Sequence, residues 1–141
     1  MISDTCICAA VRRAGRDVTS LYDTALAPSG LTVTMFRVLK SAHALEGASI
    51  TRLARALDLE RSTLGRNLRV LERAGFARLA DGEDERARVI RITPQGQAAL
   101  ARGQKLWQQA QALMLEKLGQ DAEVLLPMLQ RLTHIAEGDK T

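Results

Sequence analysis

Apolar residues recur at helical spacing along most of this chain and give way to short β-compatible runs in one stretch only. A first helix is expected over about Thr5 to Ala27, where Ile7, Val11, Ala14, Val18, Leu21 and Ala25 fall alternately four and three residues apart. That spacing makes a coiled-coil-like seam, with Arg12, Arg13, Arg16 and Asp17 off it. Pro28-Ser29-Gly30 breaks the helix, and Thr32 or Thr34 can cap a second one bearing Phe36, Val38, Leu39 and Ala42 and ending near Gly47. Ser49 can cap a third, with Ile50, Leu53, Ala54 and Leu57 on a single buried face. Asp58-Leu59-Glu60 leaves room only for a tight turn. The fourth helix, about Arg61 to Ala74, buries Leu64, Leu68 and Leu71, and Gly75 is placed to end it in a left-handed cap. Phe76 to Leu79 and Val89 to Ile92 are the β-compatible runs, and they predict a hairpin whose charged tip turns at Gly82. Thr93-Pro94 opens a long helix to Leu118, with Ala99, Leu106, Ala110, Leu113 and Met114 on its apolar side. Gly119 interrupts it. Asp121 starts a last helix carrying Val124, Leu125, Met128, Leu129, Leu132 and Ile135, which Pro127 should kink or divide.

The fold class that follows is mainly α with a small β-hairpin wing: a winged helix-turn-helix lobe flanked by N- and C-terminal helices. At 141 residues the chain amounts to one domain. Its aromatic residues are only Tyr22, Phe36, Phe76 and Trp107, so the core is aliphatic and there is no base-stacking platform for single-stranded nucleic acid. No apolar run long enough for a membrane span and no signal peptide is read, so a cytoplasmic protein is expected. The terminal helices carry more apolar surface than one small lobe can cover, which points to pairing with a second copy.

The net charge of +4 says little; its distribution says more. From Arg61 to Arg78 five arginines stand against one acid, Glu72. On the fourth helix Ser62, Arg66, Arg69 and Arg73 are spaced four, three and four residues apart, so they share the face opposite the leucines. A helix with one apolar and one guanidinium face can anchor in a core while entering a DNA groove. At the hairpin tip Arg86 and Arg88 are accompanied by four acids, Asp81, Glu83, Asp84 and Glu85, an awkward placement near a polyanion.

Taken in order, Leu53-Ala54, Arg61-Ser62-Thr63-Leu64, Leu71-Glu72-Arg73-Ala74-Gly75, Asp84-Glu85-Arg86-Ala87-Arg88 and Ile92-Thr93-Pro94-Gln95-Gly96 resemble the MarR family of bacterial transcriptional regulators, over nearly the whole chain. The resemblance implies a single domain over 1–141, with dimerisation helices at 1–30 and 95–141 and a winged helix-turn-helix at 31–94. It implies a homodimer on a palindromic double-stranded operator, most simply as a repressor. By the same resemblance Arg61, Ser62, Thr63 and Arg66 read base edges or groove walls, while Arg69 and Arg73 meet phosphates. Asp84 orients Arg86 for the minor groove, with Arg88 beside it; Glu83 and Glu85 have no role in that pattern. The resemblance further implies a small aromatic effector between the dimerisation helices and the DNA-reading lobe, lined by position with Tyr22, Met35, Phe36, Leu39 and Trp107. No cofactor is implied.

Cys6 and Cys8 are the remaining candidates for chemistry. On a helix positions i and i+2 point about 200° apart and cannot chelate one metal together unless the segment is extended, and free cysteine commonly packs as a small core residue, so the pair is expected to pack as small hydrophobes in the dimer seam. The alternative is a redox- or soft-metal-responsive regulator, completed by the partner subunit or by His134. His43 and His134 lack zinc-ligand spacing, so no metal site is expected. No nucleophile with a local base, glycine-rich phosphate loop or paired carboxylates appear, and an enzyme is not expected. A dimeric ligand-binding module without DNA binding is the remaining alternative, and the arginine face argues against it.

Overall fold

The computed structural model describes residues 5–82 and 88–138. The described elements run α1 (Ile7–Leu26), α2 (Val33–Ala44), α3 (Ile50–Leu57), α4 (Arg61–Arg73), β1 (Ala77–Asp81), β2 (Arg88–Ile92), α5 (Pro94–Leu118) and α6 (Asp121–Gly138), with a 3-10 turn at Ala27–Ser29. Contacts divide the chain into two compact units, residues 1–107 and 108–141, with α5 running from the first into the second.

In the first unit the helix starts follow local capping chemistry. The Thr32 hydroxyl accepts from the Met35 N–H at 3.2 Å, and the Asp23 carboxylate of α1 accepts from the Val33 N–H at 2.8 Å. Of the two possible caps Thr32 is therefore the one used, and Asp23 adds a negative charge at the positive end of α2. Ser49 accepts from the Arg52 N–H at 3.2 Å and opens α3. That helix ends at Asp58, in the left-handed region with φ 52°, where the Asp58 N–H bonds the Arg55 carbonyl and the Leu59 N–H bonds that of Ala54. The tight turn between α3 and α4 is thus a Schellman closure, with aspartate in the place that glycine usually takes. Gly75, at φ 78°, closes α4 in the same way, and the Phe76 N–H reaches back to the Leu71 carbonyl. Phe76 is spent on that cap, so β1 begins one residue later than its composition predicts.

Leu26, Phe36, Leu39, Leu53, Leu64, Leu68 and Leu71 are essentially inaccessible to solvent and belong to one core shared by α1 to α4, the hairpin and the start of α5. Each such side chain contributes roughly 1.5–3 kcal/mol of burial. β1 and β2 pair antiparallel from Ala77↔Ile92 to Asp81↔Arg88, with Leu79 and Ile90 turned to the core, and Ser49 bridges Val89 on the other edge of β2. Thr93 ties three elements together. Its N–H bonds the Phe76 carbonyl, its hydroxyl donates to the Gly75 carbonyl, and its oxygen accepts from the Gly96 N–H at 3.0 Å as the cap of α5.

In the second unit Gly119, at φ 55°, turns the chain between α5 and α6. α6 runs on through Pro127 without dividing, so the proline removes one backbone donor and not the helix. Val124, Leu125, Met128, Leu129, Leu132 and Ile135 are all exposed in the single chain, as are Ile7, Val11, Val18 and Leu21 of α1. On α1 only Tyr22 and Leu26 are buried. Among the described residues no helix is long and apolar enough to cross a membrane.

Candidate nucleic-acid interface

The leucine side of α4 is locked in the core, so the opposite side must face out. Ser62, Arg66, Arg69 and Arg73 are exposed there, Arg61 is exposed at the first position of the helix to one side of them, and Thr63 is half-buried at the rim. Arg66 donates from Nη2 to the Thr63 hydroxyl at 3.3 Å, which restrains the guanidinium along the first turns of the helix. The one acid of α4, Glu72, is turned away to the hairpin, where its carboxylate accepts from the Leu79 N–H at 3.4 Å. Among the described residues the ion pairs are Arg13–Asp17 and His134–Glu137, so no described carboxylate pairs with the α4 arginines. Unpaired guanidinium groups on a rigid, convex helix suit phosphates and guanine edges. Glu72 was legible in the sequence only as a charge; its role depends on where β1 passes.

Arg88 opens β2, exposed and directly opposite Asp81. Asp84 and Arg86, with Glu83 and Glu85, lie outside the described residues.

The candidate effector residues are placed in the first unit. Met35, Phe36 and Leu39 are buried members of the core, and Tyr22 is buried on α1, where desolvation raises its phenol pKa above the ordinary value. Trp107 is half-buried and stacked on Phe36, with ring centres 6.1 Å apart and planes at 24°. The ammonium of Lys40 stands 4.8 Å from the centre of the Trp107 ring and 5.7 Å from that of Phe36. Lys40 was not singled out from sequence, although its position four residues after Phe36 puts both on one side of α2. Two shallow surface grooves run along α1, one past Gly15, Thr19 and Asp23 and one past Cys6, Ala10 and Ala14; the five effector candidates line neither.

Cys6 and Cys8 are both free and exposed in the single chain. Cys6 is the residue before α1, with an extended backbone at φ −69° and ψ 111°, whereas Cys8 is on the helix. The 200° divergence expected of two helical positions therefore does not apply to this pair. Among the described residues no group of histidine, cysteine and carboxylate side chains could hold a metal ion.

A buried helix-turn-helix, an exposed arginine face on its second helix and a hairpin wing define a DNA-binding protein of the winged helix class. A helix-turn-helix domain family matches residues 34–80, from α2 into β1. The structure is similar to the Mycobacterium tuberculosis transcriptional regulator MosR in complex with DNA, with a TM-score of 0.86, 36% identity and coverage of 97% of this chain and 100% of that one. It is also similar to the transcriptional repressor CouR bound to a 23-mer DNA duplex, at TM-score 0.79, 30% identity and coverage of 91% and 92%. A third similar structure is a MarR family transcription regulator, at TM-score 0.74, 24% identity and coverage of 92% and 89%. No protein of curated function matches the sequence. The chain belongs to the MarR family of transcriptional regulators, which are dimeric DNA-binding proteins and not enzymes.

Proposed function

We propose that the protein is a homodimeric cytoplasmic repressor that lays α4 of each subunit in successive major grooves of a palindromic operator. The observation that carries this reading is the outward face of Arg66, Arg69 and Arg73, without an ion-pair partner among the described residues and held rigid by the fully buried leucines behind it. Residues 31–94 form the reading lobe, and residues 1–30 and 95–141 form the dimerisation helices. Arg61, Ser62, Thr63 and Arg66, at the start of α4, meet base edges, while Arg69 and Arg73 meet the backbone. In the wing Asp84 holds Arg86 towards the minor groove, with Arg88 at its side. A ligand-binding module without DNA binding would have no use for this arginine face, and a salt-dependent DNA-binding assay separates the two.

The decisive comparison is between Arg66 and Arg73. Arg66→Ala is expected to lose discrimination between operator and random duplex on the order of 1–3 kcal/mol, whereas Arg73→Ala weakens binding to both duplexes about equally and lowers the salt slope by about one. Equal, sequence-independent losses in quantitative binding titrations would remove Arg66 from base reading.

CouR has been seen with p-coumaroyl-CoA as well as with DNA, which supports release of this repressor by a small aromatic effector. Met35, Phe36, Leu39 and Tyr22 would form the apolar wall, and Trp107 the accessible ring. Lys40, already drawn to two aromatic faces, supplies a positive charge at their edge.

The exposed, partly extended placement of Cys6 and Cys8 favours a second reading, in which a thiol switch controls DNA binding. In it, mild peroxide abolishes operator binding by the parent, reductant restores it, and the Cys6→Ser, Cys8→Ser double variant stays bound throughout. Identical binding by parent and variant before and after peroxide leaves the cysteines as packing residues of the dimer seam.

A further inference from the structure

The hairpin carries a second basic feature, away from its tip. In the register of the sheet Arg78 lies directly opposite Arg91. Side chains alternate along each strand, and Ala77, Leu79, Ile90 and Ile92 all pack on the core, so Arg78 and Arg91 share the outer face. Both are exposed. Directly opposed side chains start about 5 Å apart at Cβ, and like charges there destabilise the pairing. The described residues offer no relief: neither arginine has an ion-pair partner among them. Asp81 falls on the core-side register, and the Glu72 carboxylate is committed to the Leu79 amide.

We propose that Arg78 and Arg91 form a phosphate-contact site that grips the DNA backbone beside the wing. The inference rests on the operator-binding reading above. A phosphate oxygen cluster between two guanidinium groups turns their mutual repulsion into two charge-assisted hydrogen-bonding contacts. Continuity argues for DNA as the source of that phosphate. The Glu72–Leu79 hydrogen bond brings the end of α4 against β1, so Arg73 and Arg78 flank one junction. Arg88, opposite Asp81, falls on the other face of the hairpin and is not part of this surface. The basic surface runs instead from Arg73 at the end of the recognition helix to Arg78 and Arg91, so a duplex lying along α4 reaches the pair. Contacts of this kind position a protein on DNA and carry no sequence information.

The test uses the full-length protein with Arg78→Gln and Arg91→Gln, separately and together. Two duplexes are compared: one selected by the parent from a random-sequence pool, and one unrelated. Each single variant is expected to lose about five-fold in affinity on both duplexes alike, and the slope of log affinity against log salt falls by about 0.9 for a lost phosphate contact. Without DNA the thermal midpoint of each variant matches or exceeds that of the parent, because a like-charge pair has been relieved. The proposal is overturned by affinity and slope at parental values, by a loss confined to the selected duplex, or by a loss that tracks a lowered thermal midpoint. It is also overturned if inorganic phosphate at millimolar concentration protects the parent thermally while the salt slope on DNA is unchanged in the variants, which would make the pair a free-anion site. A parent that binds neither duplex strikes the operator reading itself.

Discussion

Gly96→Ala is expected to be severely destabilised, by on the order of 3–5 kcal/mol, with a thermal midpoint lower by on the order of 10 °C. A methyl group at Gly96 would stand 2.0 Å from the Phe76 carbonyl oxygen and 2.8 Å from Cγ2 of Ile92. The first of these is backbone and cannot swing aside. It is pinned at one end by the Schellman closure of α4 and at the other by the Thr93 N–H that it accepts. Backbone must therefore move, and with it the hairpin base, the Thr93 bridge and the end of the recognition helix. DNA binding should fall with stability, since the orientation of α4 and the wing is set at this junction. Gly15→Ala is the contrasting change. Nothing lies within 4 Å of an added methyl group there, in the middle of α1, so alanine should raise stability by about 0.5–1 kcal/mol through its better helix propensity. Thermal unfolding followed by circular dichroism measures both. A Gly96→Ala midpoint within a few degrees of the parent would show that the junction yields.

Val18→Asp carries the second large effect. Val18 is 43% exposed in the single chain, within the seam of Ile7, Val11 and Leu21 that the folded lobe leaves uncovered. The substitution leaves the core of the lobe untouched, so helical content should persist. Between two subunits, however, it places two uncompensated carboxylates in a desolvated seam, which costs several kcal/mol. The expected outcome in analytical ultracentrifugation is a folded monomer. Operator affinity should drop on the order of a hundred-fold or more, because the second half-site is no longer delivered by the first. A variant that sediments as a tight dimer would place this seam outside the interface.

How much of the fold and of the site is legible in the sequence follows the range of the forces involved. Helical periodicity, serine and threonine caps, the left-handed stops and the leucine face of α4 are decided within a few residues of chain. The boundaries of α3 and α4, the core leucines and the outward arginines could therefore be read directly. The effector candidates illustrate the opposite case. The family resemblance named Met35, Phe36 and Leu39 by position, and their apolar character already suited a core, yet only packing shows that Lys40 lies over the Trp107 and Phe36 rings.

The cysteines show how a local rule fails at a boundary. Side chains at i and i+2 diverge only where both residues are helical, and the helix begins one residue after Cys6. Strand register had a similar effect. The sequence could place Arg78 and Arg91 in a hairpin, but not opposite one another, because a slip of one residue exchanges the two faces of a strand.

By itself, then, the sequence determined the order and polarity of the elements, the basic reading helix and membership of a winged helix class, because each is written in neighbouring residues. Tertiary structure alone decided that Glu72 leaves the arginine face to bond Leu79, that Gly96 must be bare against Phe76, and that two arginines confront each other across the wing. Those facts depend on distances between segments far apart in the chain, and only the closing of the core sets such distances.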